Sequence, residues 1–145
     1  MSNGEWDYVF NERTTISGVR YVKAQITGTS NGTVNGVILF PDDWSTSIYY
    51  PNNYNQSGAS YSSNMIPVNQ WIILENAGAV FLPAAGERYE TEVYDVGSHG
   101  HYWSASRSEN YIWAASSIIF QSSSVGAFDY DLRCKGMSVR LVQDK

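Results

Sequence analysis

Residues 100–142 read GHYWSASRSENYIWAASSIIFQSSSVGAFDYDLRCKGMSVRLV, and this stretch decides the fold. Apolar and polar residues alternate along it with a period of two, which is typical of strands with one buried and one solvated face. In its central part, Ile118 and Phe120 fall on one face and Trp113 on the other. Because both faces carry large apolar groups, one of them must present an apolar row to solvent or to a partner, and such patches mark interaction surfaces. The pattern predicts a binding domain whose C-terminal strands and loops form the site.

The composition is that of one domain with an aromatic, weakly charged surface. The 145 residues include 5 Trp, 11 Tyr and 5 Phe, against 14 acidic and 9 basic residues. A chain of this length can bury a sufficient core without disulfides or structural metals, and a single domain over 1–145 is expected. Tyr and Trp combined with Ser, Gly and Asn are typical of adaptable recognition surfaces. An aromatic-rich β-protein with polar loops gives the same composition, so both interpretations stay open.

Charge and cysteine content bear on partners and chemistry. The net charge is −5 and there is no run of Lys or Arg, so we expect no nucleic-acid partner. The single cysteine, Cys134, forms no internal disulfide, and no CxxC motif indicates zinc. No apolar run approaches 18 residues and no charged-then-apolar leader is present, so we expect a soluble chain without direct membrane insertion. The chain is equally compatible with a domain of a longer exported protein.

The first part of the chain predicts a hairpin. Val19 to Thr27 reads as a strand, and Val37 to Phe40 reads as its short, apolar return before Pro41. Turns are predicted at Asn31-Gly32 and Asn35-Gly36, because Asn-Gly steps supply the positive φ angles that hairpin turns need. Gly4 to Phe10 is compatible with either a strand or a short helix.

The middle of the chain predicts a loop, one helix and a strand. Residues 45–64 are almost entirely Ser, Thr, Asn, Gly and Tyr, which indicates a long loop. A helix is predicted from about Val68 to Ala77, with Ser63 or Asn64 as cap, Gly78 beyond its end, and Trp71 and Leu74 packed on the sheet. Ala79 to Leu82 reads as a buried strand, and 84–100 as a loop. Three or four strands then end in Ser138 to Val142, which gives an α+β class.

Several longer runs resemble a known family. NGVILFPDDW, AGAVFLPAAGER, GHYWSAS, Ile118-x-Phe120 and GMSVRLV together resemble bacterial C-type-lectin-like domains of the FISUMP kind, found in gut bacteria, over essentially the whole chain. The resemblance implies a C-type-lectin-like fold, with small antiparallel sheets, one or two helices and long loops. It implies a ligand surface made by the C-terminal segment. Some members resemble variable proteins of diversity-generating retroelements, in which a reverse transcriptase rewrites adenines in the 3′ part of the gene.

The resemblance also assigns framework and variable positions. The framework implied is Tyr102, Trp103, Ser104, Ala115, Ile118, Phe120, Val125, Arg133, Gly136, Ser138, Val139, Arg140 and Leu141. The positions implied to vary are Arg107 to Trp113, Ser117, Ile119, Gln121, Ala127 to Leu132, Cys134 and Lys135. From these, the residues expected to contact a ligand are Arg107, Asn110, Tyr111, Trp113, Ser117, Ile119, Gln121, Phe128, Asp129, Tyr130, Asp131, Leu132, Cys134 and Lys135.

Two points separate the resemblance from simple alternation. Placing Ala115 and Ile118 both inside requires a bulge between them, because strict alternation puts them on opposite faces. Alternation also buries Phe128, Tyr130, Leu132 and Cys134, whereas the resemblance implies an exposed loop over 128–135. We favour the loop. Of Trp113, Tyr111, Phe128 and Tyr130, at least two are expected to be exposed.

Catalytic and metal-binding patterns are weak. His99 and His101 have Asp95 near in sequence but no evident third partner, so they are expected to be solvated or to brace a loop. Asp42-Asp43 and Asp129-x-Asp131 are the plausible calcium ligands, but turn capping and solvent or ligand contact explain them better. No G-x-S-x-G elbow occurs. We therefore expect no enzyme activity, no cofactor and no bound metal.

The first functional hypothesis is a non-enzymatic, calcium-independent binding domain, a receptor or adhesin on a cell surface or phage tail. Its expected partner is a protein or a surface polymer. A second hypothesis is a structural or adhesive module whose aromatic face packs on a neighbouring domain of a larger surface protein. A third is a carbohydrate-binding module in which Trp113 and a tyrosine stack on sugar rings. The ligand and the oligomeric state stay open.

Overall fold

The computed structural model describes residues 1–108 and 110–141, without the side chains of Ala127 and Phe128. Within these residues the chain is α+β, with two α-helices and three small, mostly antiparallel sheets. The helices are α1 (Asn3–Asp7), which continues into a π-helical turn (Tyr8–Glu12), and α2 (Val68–Asn76). The strands are β1 (Tyr21–Thr29), β2 (Gly32–Leu39), β3 (Met65–Pro67), β4 (Val80–Pro83), β5 (Glu87–Tyr89), β6 (Glu92–Tyr94), β7 (Gly100–Arg107), β8 (Ala114–Gln121) and β9 (Ser124–Leu132).

The central sheet has the strand order β3-β1-β2-β4 and contains the predicted hairpin. Its turn is formed by Ser30 and Asn31, one residue before the predicted Asn31-Gly32 step, and Gly32 at the start of β2 has a φ of +83°. The second predicted turn is wrong, because Asn35-Gly36 lies inside β2. Gly36 is needed there for space rather than for turning, since a Cβ would overlap with the Leu82 carbonyl and the Phe81 ring on β4.

Helix α2 confirms the predicted helix within one residue, and Leu74 is fully buried beneath it. Trp71 packs against Phe81 of β4, with ring centroids 5.7 Å apart. The predicted cap is wrong, because Pro67 occupies the N-cap position and no side chain caps the helix. Asn64 instead holds the long loop.

The Asn64 amide holds the 45–64 loop together and ties it to the central sheet. Its Oδ1 accepts from the Tyr49 hydroxyl at 3.0 Å and from the Asn52 N–H at 2.8 Å. Its Nδ2 donates to the carbonyl oxygens of Lys23 on β1 and of Asn52, both at 2.9 Å. A segment with little regular structure is therefore fixed by one buried side chain.

The N-terminal segment, which the sequence left open, is helical. Ser2 and Glu5 form a reciprocal capping box at the start of α1. Trp6 and Phe10, four residues apart, lie on one side of the helical segment and are both buried. Their rings stack with centroids 6.0 Å apart, and Trp6 meets Tyr102 of β7 edge-on at 6.5 Å. The helix therefore packs against the last sheet.

The C-terminal sheet, β7-β8-β9, shows alternating burial along its middle strand except at Ser117, which is also buried. Ala114, Ser116, Ile118 and Phe120 of β8 are buried, while Ala115 and Ile119 are half-buried. The predicted bulge between Ala115 and Ile118 is wrong. The extra residues lie in the partner strands instead, between Trp103 and Arg107 in β7 and between Gly126 and Asp129 in β9.

Three other predictions about this part of the chain need correction. Residues 128–132 belong to β9 rather than to a loop, although Arg133 and Cys134 do form a turn. The expected loop over 84–100 contains the β5-β6 hairpin. The closing strand is reduced to a single bridge between Ser138 and Tyr102, and Val139 and Leu141 are exposed rather than framework core. Val142 lies outside the described residues.

Two apolar clusters place the central sheet between two layers. On one face, Val22, Ile38 and Ile66 pack with Leu74 of α2 and with Trp44 before the long loop. On the other face, central-sheet residues pack with α1 and with the inner face of the C-terminal sheet. This second cluster contains Trp6, Phe10, Tyr21, Val37, Tyr61, Leu82, Ala84, Tyr102, Ile118 and Phe120. On the outer face of the C-terminal sheet, Ile119 and Gln121 are half-buried, whereas His101 and Ser117 are buried.

Lys23 of β1 gives a pH-dependent stability that can be measured. The residue is 1% exposed, and its Nζ donates to the Ser57 carbonyl of the long loop. Burial lowers the pKa of Lys23 from 10.5 to about 8. Between these pH values the unfolded chain binds more protons than the folded one, so stability rises with pH. We expect the free energy of unfolding to rise by about 1–2 kcal/mol between pH 7 and 9.5.

Urea denaturation of the wild type and of Lys23→Met at both pH values checks this effect. Burial raises the pKa of Tyr61 and of Tyr102 to about 12, so their opposite contribution begins only near pH 10. The Lys23→Met variant should lose the rise. An equal rise in both proteins would contradict the assignment to Lys23.

Candidate functional site

Three aromatic side chains gather at one end of the C-terminal sheet. Tyr111 and Trp113 come from the connection between β7 and β8, and Tyr130 comes from β9. The Tyr111 ring lies 4.8 Å from Trp113 and 5.2 Å from Tyr130, measured between centroids. The three side chains, called here the aromatic cluster, are 39%, 51% and 48% exposed. The rings therefore contact one another while each keeps a large surface open to solvent.

Local hydrogen bonds hold the connection that carries two of these rings. The Tyr111 N–H donates to Ser108 Oγ at 3.2 Å, and the Ala114 N–H donates to the Tyr111 carbonyl at 3.1 Å. The turn after β9 supports the same segment from the other side. Arg133 donates from its backbone N–H to the Trp113 carbonyl at 3.2 Å, and from Nε to the Ala114 carbonyl at 2.9 Å. Framework position Arg133 thus fixes the base of the cluster.

Two shallow polar clefts meet at Asp129, next to Tyr130, and the first of them borders the aromatic cluster. One, of about 420 Å³, is lined in part by Asn3, Ser106, Arg107, Asn110 and Tyr130. A second, of about 380 Å³, lies on the other side of Asp129, which lines both. The Asp129 carboxylate accepts the Tyr130 N–H at 2.8 Å, so its orientation is set by its own strand. The neighbouring Tyr111 raises the pKa of Tyr130, so the Tyr130 phenol stays neutral at physiological pH.

The second cleft is lined by side chains from several elements: Asp95, His99, His101, Ile119, Gln121, Ser124, Gly126 and Asp129. His99 forms a hydrogen bond between its Nδ1 and Ser98 Oγ at 2.8 Å, and lies 3.6 Å from Asp95 Oδ1. These contacts agree with the expectation that His99 braces a loop. The same expectation is wrong for His101, which lies on β7 and is 6% exposed.

A charged cluster lies behind this cleft, between β5, β7 and β9. Lys135 Nζ lies 2.7 Å from both Glu87 Oε1 and Asp131 Oδ2. His101 Nδ1 lies 3.6 Å from Glu87 Oε2. Burial alone would lower the pKa of Lys135, but its hydrogen bonds to Asp131 and Glu87 raise it above the ordinary value. Burial lowers the pKa of His101 despite the nearby Glu87 carboxylate, so its imidazole is neutral at pH 7.

These contacts correct the expectation that the histidines have no third partner. Glu87, His101 and Asp131 place one ligand atom each within 4.8 Å of one another, the only such group in the part of the chain that the structure describes. No local spacing signals it. The three residues meet because of long-range β-bridges. Gly86 pairs with Gly100 of β7, and Arg88 pairs with Gly136.

The predicted calcium ligands lie apart from that group or are already paired. Asp42 Oδ1 lies 3.4 Å from Arg13 Nη1, and Asp43 is exposed in the turn after β2. Asp129 bonds to its neighbouring N–H, and Asp131 bonds to Lys135. The four carboxylates do not converge on one point.

The residues predicted to contact a ligand divide by exposure. The exposed ones are Arg107, Asn110, Tyr111, Trp113, Asp129, Tyr130 and Cys134. The half-buried ones are Ile119, Gln121, Asp131, Leu132 and Lys135. Ser117 needs correction, because it is fully buried between β7 and β9 and does not reach the surface. The side chain of Phe128 lies outside those described.

Sequence reasoning also missed surface residues that line the first cleft, namely Asn3 and Ser106. The Asn3 N–H donates to Ser106 Oγ at 3.0 Å, which brings the start of α1 to the end of β7. Nothing in the sequence pairs positions 103 residues apart. Alternation, in contrast, placed Tyr111 and Trp113 opposite Ile118 and Phe120, whereas the exposure of Tyr130 was implied by the family resemblance.

Comparison with protein-family models, with curated proteins and with solved structures finds no match to this chain. The functional argument therefore depends on the site itself. Among residues 1–108 and 110–141, no helix has the length and apolar character needed to cross a bilayer.

The exposure of the aromatic cluster predicts a small effect of Trp113→Ala on folding. Because half of this side chain is already in water, we expect the free energy of unfolding to fall by less than about 1 kcal/mol. Trp6→Ala, at a position that is 1% exposed, should cost about 3–5 kcal/mol. Urea denaturation of the three proteins measures both values. A loss at Trp113 that approaches the loss at Trp6 would show that the ring is part of the core.

Proposed function

We propose that this protein is a non-enzymatic ligand-binding domain whose recognition surface is the aromatic cluster with the two clefts that meet at Asp129. The observation that carries the proposal is the exposure of Tyr111, Trp113 and Tyr130 together on one surface. Aromatic residues of this kind supply rigid contact area at low entropic cost and dominate the energetics of interfaces. Their rings already support one another, so little order has to be gained on binding.

The form of the surface supports a broad partner, a protein or a surface polymer. The clefts are shallow and open, and Asn110, Arg107 and Asp129 provide polar contacts around the rings. Enclosed, mostly apolar cavities are typical of small-molecule sites. The net charge of −5 disfavours nucleic acid as the partner. Calcium plays no part in the proposed recognition, because the carboxylates near the surface are bound to protein donors.

We also propose that the domain has a C-type-lectin-like fold and belongs among retroelement-diversified receptors or adhesins. Support comes from the sequence resemblance and from an α+β arrangement of small sheets with a long loop. It comes as well from the exposure of most positions that the resemblance marks as variable. Among those whose side chains the structure describes, several are half-buried and Ser117 is fully buried. Such a receptor would act on a cell surface or phage particle as part of a longer protein.

A matched pair of display libraries tests the recognition surface. One library randomises Asn110, Tyr111, Trp113, Asp129 and Tyr130. The other randomises five exposed positions on and beside α2, namely Met65, Asn69, Ile72, Ile73 and Asn76. Both are displayed on phage and selected against the same panel of unrelated purified proteins.

We expect the first library to yield specific binders at least about tenfold more often than the second, because only it varies the proposed contact residues. Thermal melting of recovered clones should show that they keep the wild-type stability to within a few degrees. Equal yields from the two libraries would contradict the proposal. Loss of folding throughout the first library would favour a structural module, and binding of wild-type protein on a glycan array would favour the carbohydrate hypothesis.

The DNA around the gene tests the diversification separately. We expect a near-identical copy of its 3′ segment beside a reverse-transcriptase gene, with differences mainly at template adenines. Sequences from related strains should differ within 107–135 and agree within 79–83. Changes spread evenly over the gene would remove diversification from the proposal and leave the binding surface intact.

A further inference from the structure

We propose that Glu87, His101 and Asp131 form a binding site for a divalent transition-metal ion of the Zn²⁺ class, which takes the place of the Lys135 ammonium group. The inference is independent of the aromatic cluster and of any ligand bound there. Two features of the cluster support the site: buried polar atoms without partners, and a cation already held between the carboxylates.

The first observation is that the polar atoms of this cluster lack partners. Glu87 Oε2 and both ring nitrogens of His101 are buried without a hydrogen bond. The side chains of His101 and Glu87 are only 7% and 10% exposed. Leaving such atoms unpaired is costly, because they have lost their hydration and gained no hydrogen-bond partner. A metal ion bound to His101 Nδ1 and Glu87 Oε2 would satisfy two of them.

The second observation is that the carboxylates already attract a cation. Lys135 Nζ lies 2.7 Å from Glu87 Oε1 and 2.7 Å from Asp131 Oδ2. The two carboxylates of Glu87 and Asp131 therefore share a single ammonium group. A divalent ion balances both carboxylates, so the electrostatics favour it over a single ammonium group.

The distances fit a small tetrahedral ion after modest movement. Ligand atoms bound at 2.0–2.2 Å around such an ion are about 3.4 Å apart. His101 Nδ1 and Glu87 Oε2 are 3.6 Å apart, and the ligand atoms of all three residues lie within 4.8 Å of one another. One imidazole with two carboxylates is a ligand set of zinc, whereas calcium takes oxygen ligands alone.

The cluster also has a route to solvent. His101 lines the second cleft, from which an ion and a water molecule as fourth ligand would enter. Lys135 follows the turn after β9, and its side chain is 19% exposed, so its flexible stem allows the ammonium group to move outward. The three ligands come from β5, β7 and β9, so the ion would fasten the β5-β6 hairpin to the C-terminal sheet.

Zinc titration of the full chain tests the site. After removal of metals with a chelator, isothermal titration with ZnCl₂ alone should give one ion per chain. The melting temperature should rise by about 9 °C at a hundredfold excess over the dissociation constant. Lys135→Met should bind Zn²⁺ at least about tenfold more tightly, because it removes the competing ammonium group.

Ligand variants locate the ion. Asp131→Asn and His101→Gln should each weaken binding at least about tenfold, and Asp131→Asn keeps the assay informative if the buried His101 variant does not fold. Glu92→Gln, at an exposed carboxylate of the same hairpin, and His99→Gln should bind as the wild type does. The proposal is overturned if the wild type binds no zinc at a concentration of about 1 mM, since a specific site should be occupied at that concentration. It is also overturned if Lys135→Met gains nothing, or if His99→Gln loses as much as Asp131→Asn.

Discussion

The packing of Ile118 and Phe120 against the central sheet is the constraint on which the rest of the structure depends. Both side chains are fully buried, and Phe120 stacks on Tyr102 with ring centroids 5.8 Å apart. Gly100 lies opposite Phe120 and leaves room for its ring, where a Cβ would overlap. This contact fixes which face of the C-terminal sheet is inner. Since side chains alternate along a strand, it also fixes which face looks outward.

The alternation of apolar and polar residues predicts which side chains are buried wherever one face of a strand packs on the core. It fails where neither face of the strand is buried. Along β8 it placed Ile118 and Phe120 inside, and both are buried. It could not locate the bulges, because an extra residue in β7 or β9 leaves no mark on composition. The β5-β6 hairpin escaped for another reason. Each strand has three residues, and those of β6 are all exposed, so no contrast between faces exists.

The two candidate sites differ in how far sequence can reach them. Two members of the aromatic cluster, Tyr111 and Trp113, lie in the connection before β8, on the side that the alternation left open. The third, Tyr130, joins them only through the pairing of β9 with β8. The Glu87, His101 and Asp131 group arises only when three strands meet through bridges between distant residues. The role of Asn64 in the fold was likewise hidden from the sequence, because it depends on contacts with distant residues. A residue with the pattern of a helix cap uses its amide for the long loop, because those buried partners are available only in the folded chain.

Cys134 has a practical consequence for work on the domain. It is the only cysteine in the sequence, and its thiol is exposed on the turn after β9. The adjacent Arg133 holds the segment that carries Trp113. A fluorophore coupled to this thiol would stand at the rim of the recognition surface at one defined position. Its emission would report occupancy directly, and a biotin at the same atom would immobilise every molecule in one orientation.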